Sequence, residues 1–187
     1  FGSRNKNSMN KVITIDGPSA SGKGTLAILL ADRLNWKILD SGALYRAFAY
    51  FSISENDNRL IEKNLRKISF NIVDNTIQVL FENEDISRHL RTEETAIQAS
   101  KISSLSSTRE ILLPIQRFFS ETSNLIADGR DMGSVVFPNA NLKFFLDAAP
   151  EVRAKRRHLE LQKRGQEVNM HDLINDIVER DKKDRTR

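Results

Sequence analysis

The sequence has no cysteine. That excludes a disulfide scaffold, a zinc–cysteine site and a cysteine nucleophile, and it fits a reducing, cytoplasmic setting. No apolar run approaches the roughly 18 residues that a membrane-spanning helix needs, which argues against an integral membrane protein. Aromatic residues make up only 7% of the chain. None is interleaved with the basic residues near the C-terminus, so a base-stacking platform for nucleic acid is missing. The three histidines (His89, His158 and His171) are scattered and read as surface residues, not as a metal-ligand cluster or half of a nucleophile–base pair. No N-K-x-D motif of the kind that reads guanine in GTPases occurs.

What remains is ordinary globular composition. With 187 residues, 39% hydrophobic and 29% charged, one domain or one domain with a small insertion is expected. Folding at this length buries roughly 70% of the chain's surface, enough for a core. Residues 1–10 are set aside from the fold, because Phe1 to Ser8 is polar, Asn-rich and without period. It reads as an expression scar ahead of Met9 or as a native disordered start. The net charge is +4, and most of the excess falls within residues 151–187. Such a basic region suits nucleic acid, an anionic membrane surface or the phosphates of a small ligand.

Lys11 to Asp16, a β-branched run ending at Gly17, predicts a buried strand. A helix follows from Lys23 to Leu34, with Leu26, Leu29, Leu30 and Leu34 at helical spacing. Trp36 to Leu39 reads as a second strand, and Ala43 to about Ser54 as a second helix. This strand, loop, helix, strand order opens an α/β protein with a parallel sheet. Ile68 to Val73 and Ile77 to Phe81 alternate apolar and polar residues around Asp74 and Asn75. They predict a hairpin inserted into the α/β series. Two helices are expected over 91–103 and 107–120, the second kinked or broken at Pro114. Leu125 to Ala127 leads into the polar run DGRD at 128–131, and Leu142 to Leu146 reads as a further buried strand. A basic helix from Pro150 to Arg164 and a last helix from Met170 to about Arg185 complete the pattern.

The strongest motif is GPSASGKGT at 17–25, between the first strand and the first helix. A loop that wraps a β-phosphate must turn tightly with its backbone N–H groups inward, and Gly17 and Gly22 permit that. The helix start adds unpaired N–H groups and a positive dipole end. Lys23 supplies a charge for the β- and γ-phosphates. Gly24 stands where this motif ordinarily has Ser or Thr, and Thr25 comes one residue later.

A second substrate belongs beyond the carboxyl ends of the strands. Two polar clusters fall there: DSGALYR at 40–46 and DGRD at 128–131. Each brings an arginine, Arg46 or Arg130, suited to bidentate phosphate contact. Ser41 also reads as a helix N-cap. In the basic region, Arg153, Lys155, Arg156, Arg157, Lys163 and Arg164 crowd one helix, and Arg180, Arg185 and Arg187 follow. A solvated helix face, a nucleic-acid patch and a lid closing arginines over triphosphate all fit that run.

GPSASGKGT, LDSGALYR at 39–46, IADGRDMGSVVFP at 126–138 and ERDKKDRTR at 179–187 resemble the bacterial cytidylate kinases, members of the nucleoside monophosphate kinase family. The resemblance spans about residues 11–187. It implies an α/β fold: a P-loop nucleoside triphosphate hydrolase-like parallel sheet core (11–66 and 106–150), a small β-containing nucleotide-binding insertion (about 67–105), a helical lid (about 151–170) and a closing helix (170–187). It implies transfer of the γ-phosphate of ATP to CMP or dCMP with Mg2+, by a cytoplasmic monomer with no nucleic-acid or membrane partner.

By the same resemblance, Gly17, Pro18, Ser19, Ala20, Ser21, Gly22, Lys23, Gly24 and Thr25 hold the ATP phosphates, with Arg156 and Arg157 closing from the lid. Ser41, Arg46, Arg130 and Arg187 hold the monophosphate of CMP, and Tyr45 also binds CMP. Ser100, Arg109 and Asp131 read the cytosine edge, and Arg180 and Asp184 meet the ribose. Lys23, Arg130, Asp131 and Arg187 are the expected catalytic set, with Thr25 touching magnesium that is held mainly through the ATP phosphates. The family pattern continues beyond the position of Arg187 with a further strand and helix. Other small-molecule P-loop kinases, acting on UMP, AMP or shikimate, and a nucleic-acid-binding protein are the competing readings.

Overall fold

A computed structural model describes residues 10–163 and 165–185, without the side chains of 183–185. Strand β1 (Val12–Asp16) leads through the glycine loop into helix α1 (Lys23–Leu34). Strand β2 (Lys37–Asp40), helix α2 (Ser41–Ser54) and helix α3 (Asn58–Leu65) follow. Strands β3 (Ile68–Val73), β4 (Thr76–Phe81) and the two-residue β5 (Glu84–Asp85) form an antiparallel sheet. Helices α4 (Glu93–Ile102) and α5 (Ser106–Phe118) return the chain to strand β6 (Leu125–Gly129). A π-helical turn (Met132–Val136), strand β7 (Leu142–Phe145) and helices α6 (Pro150–Lys163) and α7 (Met170–Arg185) end the described chain.

The main sheet is parallel in the order β2-β6-β1-β7. Asp16 pairs with Gly129, and Asp40 with Asp128, so the carboxyl ends of β1, β2 and β6 lie level. Its central strands are buried along their whole length, as β1 and β6 demand with neighbours on both sides. Ile15, Leu39, Leu125 and Ile126 are wholly buried, each contributing about 1.5–3 kcal/mol relative to exposure. Leu44 and Phe48 of α2, Leu112 and Ile115 of α5, and Ile68, Phe70 and Val79 of the antiparallel sheet join that same core.

Four sequence expectations need correction. Leu142 to Leu146 is not a buried strand: among the described residues β7 is a sheet edge, with Leu142 54% and Phe145 70% exposed. Helix α1 turns Ala27 and Ala31 into the core, while Leu29 and Leu34 face outward. Alanine on that face permits close approach of helix and sheet, which the leucine spacing concealed. Helix α5 is not broken at Pro114 but continues to Phe118. The ring removes one backbone donor, but Leu112, Ile115 and Gln116 are buried and hold both flanks. Helix α2 is capped by Asp40, whose Oδ1 accepts the Ala43 N–H at 2.9 Å, and not by Ser41. Helix α3 and strand β5 add to the expected elements.

Candidate functional site

The loop 17–22 leaves β1 and turns back through left-handed backbone at Ala20 (φ 60°) and Gly22 (φ 100°). Gly17 admits no side chain, since a Cβ there would lie 2.0 Å from the Leu146 carbonyl oxygen. Helix α1 begins with no side-chain cap and no acidic residue in its first turn. Its positive end and first amides are thus left for an anion. The buried Ser21 hydroxyl has no hydrogen-bond partner among the described residues. Arg156 of α6 donates from Nη1 to the Ser21 carbonyl at 2.9 Å and to that of Ala20 at 3.3 Å, so the basic helix meets the glycine loop directly. Thr25 is exposed one residue further on.

Beneath the loop lies a group of carboxylates. Lys23 Nζ is 3.8 Å from Asp128 Oδ1, with both side chains largely buried. Burial pushes the Asp128 carboxyl up to about 7; Lys23 opposes this, and Asp40 and Asp16 add to it. Asp128 Oδ1 has no hydrogen-bond partner among the described residues. Burial also raises the Asp16 carboxyl, against the hydrogen bonds it receives from the backbone of Gly133 and Met132.

On the acceptor side, Arg109 Nη2 lies 3.6 Å from Asp131 Oδ2, joining α5 to the segment that follows β6. Arg130 is half-buried beside it. Ser41 is buried and its hydroxyl accepts from Gln116 Nε2 at 3.3 Å. Tyr45 is half-buried against the core. Desolvation lowers the Arg46 guanidinium from its usual value, and repulsion from Arg157, Arg180 and Arg91 lowers it further, against the attraction of Asp40. Four cations from α2, α6, α7 and the turn at 89–91 therefore converge, an arrangement whose repulsion an anion relieves.

Ser100 is exposed on α4 and makes no side-chain hydrogen bond to Arg109 or Asp131 among the described residues. Arg157 donates to Glu160 at 2.9 Å on its own helix. Arg187 and Arg164 lie outside the described residues, as does the side chain of Asp184. Arg153, one of the basic run, is engaged within the fold and does not reach out to solvent. It is 2% exposed, donates to the Ala148 carbonyl, and forms a bidentate pair with Asp181 that ties α6 to α7.

Sequence reading passed over Asp16, Gln116 and Arg91. Asp16 carried a signal: a charged residue closing an otherwise apolar, buried strand, directly before the glycine loop. Gln116 and Arg91 carried none, because their relevance comes from helices that meet Ser41 and Arg46 only in the fold.

A family model described as cytidylate kinase matches residues 13–187. A cytidylate kinase of Photobacterium profundum is 48% identical over 182 residues, covering 94% of this chain and 80% of its own. One of Aeromonas salmonicida is 48% identical over 186 residues, 96% of this chain and 80% of the relative. One of Pseudomonas putida is 47% identical over 189 residues, with coverage of 97% and 83%.

Proposed function

Because the chain belongs to the cytidylate kinase family, we propose that this kinase transfers the γ-phosphate of ATP to CMP or dCMP, giving CDP or dCDP and ADP, as a cytoplasmic monomer. An oxygen of the CMP phosphate attacks the γ-phosphorus, the bond from that phosphorus to the β,γ-bridging oxygen breaks, and ADP leaves. There is little covalent work for the protein, so positioning and charge neutralisation carry the rate.

The glycine loop 17–25 and Lys23 hold the β- and γ-phosphates. Arg156 already contacts that loop, and Arg157 of the same helix is assigned with it to the ATP phosphates. Arg46, Arg130 and Arg187 take the acceptor phosphate, with Ser41 and Tyr45 beside Arg46. Arg180 and Asp184 take the ribose. An arginine on the transferring group is worth on the order of 10³–10⁵ in rate. The core comprises 11–66 and 106–150, the insertion 67–105 supplies Ser100, and 151–170 closes as a lid, followed by the helix 170–187.

The donor set fits magnesium. Hard oxygen ligands suit that ion, and the buried Asp128 Oδ1 without a hydrogen-bond partner beside Lys23 is such a ligand. Asp128 and Thr25 would hold the ion together with the ATP phosphates. When bound it neutralises charge on the β- and γ-oxygens.

The observation that carries the acceptor assignment is the Arg109–Asp131 pair at the sheet's carboxyl edge. Asp131 accepts from the cytosine amino group, and Arg109 and Ser100 donate to the ring acceptors. Uracil presents a carbonyl where cytosine has the amino group, leaving the carboxylate unpaired at a cost of about 1–3 kcal/mol. CMP is therefore preferred over UMP by roughly 10- to 100-fold. Asp131→Ala is expected to reduce that preference to near unity, read as the ratio of kcat/KM values. An unchanged ratio removes Asp131 from base reading.

The reading as a whole is tested by coupled ADP release with Mg-ATP, offering CMP, dCMP, UMP, AMP, GMP and shikimate in parallel. Fast turnover of CMP and dCMP, with UMP far behind, is the expected result. Preferential turnover of another acceptor overturns it.

A further inference from the structure

Asp131 sits at the cap position of the turn Met132–Val136, yet its side chain makes no cap hydrogen bond. An aspartate in that position ordinarily satisfies the first amides of its own turn. Here another residue does so. Asp16, at the end of β1 and 116 residues away, accepts the Met132 N–H on Oδ1 at 2.8 Å. Its Oδ2 accepts the Gly133 N–H, also at 2.8 Å. The Asp131 carboxylate is thereby left to Arg109.

The contact is closely fitted. Gly133 has no room for a side chain, since a Cβ there would fall 2.7 Å from Thr14 Oγ1 and 3.3 Å from Asp16 Oδ2. Asp16, Met132 and Gly133 are all buried, so water cannot replace the carboxylate. Asp16 is also the residue from which the glycine loop departs, and its own carbonyl accepts the Leu146 N–H at 2.8 Å. One carboxylate thus fixes the segment after β6 to the strand that carries the phosphate loop.

We propose that Asp16 is a positioning residue for acceptor selection: by capping the turn Met132–Val136 in place of Asp131, it keeps Asp131 directed at the nucleotide base and Arg130 at the acceptor phosphate. Without that cap, Asp131 turns back to satisfy the Gly133 amide itself and leaves Arg109. The inference rests on the reading of Arg130 and Asp131 as acceptor-binding residues.

Asp16→Asn is the test. The amide keeps the side chain's shape but sets an N–H group against one of the two backbone donors. Misplacing a binding group by an ångström costs up to about 10²-fold. Asp16→Asn is expected to lower kcat/KM for CMP by roughly 10- to 100-fold, to shift the CMP-over-UMP ratio toward that of Asp131→Ala, and to leave KM for ATP nearly unchanged. Parallel loss on CMP, UMP and ATP, or an unchanged ratio, overturns the proposal.

Should Asp16→Asn fail to fold, Gly133→Ala disturbs the same contact with the carboxylate intact and is expected to lower the same ratio. A wild-type ratio in Gly133→Ala, or failure of both variants to fold, assigns Asp16 to stability alone and overturns the proposal. The unmodified enzyme and Asp131→Ala serve as references. If Asp131→Ala keeps the CMP preference, the acceptor reading itself fails. If Asp131→Ala loses it while Asp16→Asn keeps it, only the positioning role fails.

Discussion

Lys23→Ala is expected to lower kcat by on the order of 10³-fold while leaving a folded protein. Lys23 opens α1 directly after the left-handed Gly22, so its ammonium stands at the helix end that the structure leaves uncapped. The neighbouring Asp128 is its ion-pair partner at 3.8 Å among the described residues. Removing the ammonium takes away a charge for the β- and γ-phosphates that the backbone amides of the loop cannot replace. Alanine is a good helix former, so α1 itself is not weakened. The orphaned Asp128 adjusts by holding its proton more tightly, since burial already favours the neutral form. ADP-release kinetics and a thermal melt check both halves. A kcat near that of the unmodified enzyme sinks the assignment of 17–25 as the phosphate loop.

Asp128→Asn is expected to do the opposite to stability. In the folded protein this carboxyl is raised from 3.8 to about 7, so between about pH 4 and pH 7 the folded state binds a proton that the unfolded chain releases. Its contribution to stability therefore declines as pH rises through that window and is least favourable above pH 7. The shift corresponds to a ceiling of about 4 kcal/mol. Loss of the Lys23 pair offsets part of it, so a gain of about 1–3 kcal/mol at pH 8 is expected for Asp128→Asn in metal-free buffer. In a chain of this size each kcal/mol moves Tm by roughly 2–4 °C. Melting curves between pH 5 and pH 8 should show a flatter dependence than the unmodified protein. A parallel dependence refutes this electrostatic account. If Asp128 holds the phosphate-bound cation as proposed, turnover falls by at least about 10²-fold.

The sequence and the fold agree where the signal is local. Strand β1, the glycine loop and the start of α1 were readable because their chemistry lies within one unbroken segment. The β3–β4 hairpin was readable because period-two alternation flanks Asp74 and Asn75. Disagreement arises where a residue's neighbours are distant. The apolar run at 142–146 looks like a central strand by composition, but whether a strand is central depends on what pairs with each side. Among the described residues β7 has only β1 beside it. The leucines of α1 have helical spacing, yet the sheet accepts the alanine face. Ser41 and Asp40 are both good caps side by side, and Gln116 of α5 engages Ser41 while Asp40 caps the helix.

From the amino-acid order come the glycine loop at 17–25 with its lysine, the clusters at 40–46 and 128–131, and the family to which they point. These depend on residue type and spacing over a few positions, which short-range sterics and hydrogen bonding control. The tertiary structure decided their assembly. The strand order β2-β6-β1-β7 sets the ends of β1, β2 and β6 level. That brings Asp16, Asp40 and Asp128 under Lys23, and α6 and α7 then carry Arg157 and Arg180 toward Arg46. Parallel pairing joins segments more than a hundred residues apart, and no local pattern encodes which strand lies beside which. Only burial of both sheet faces in one core selects that order.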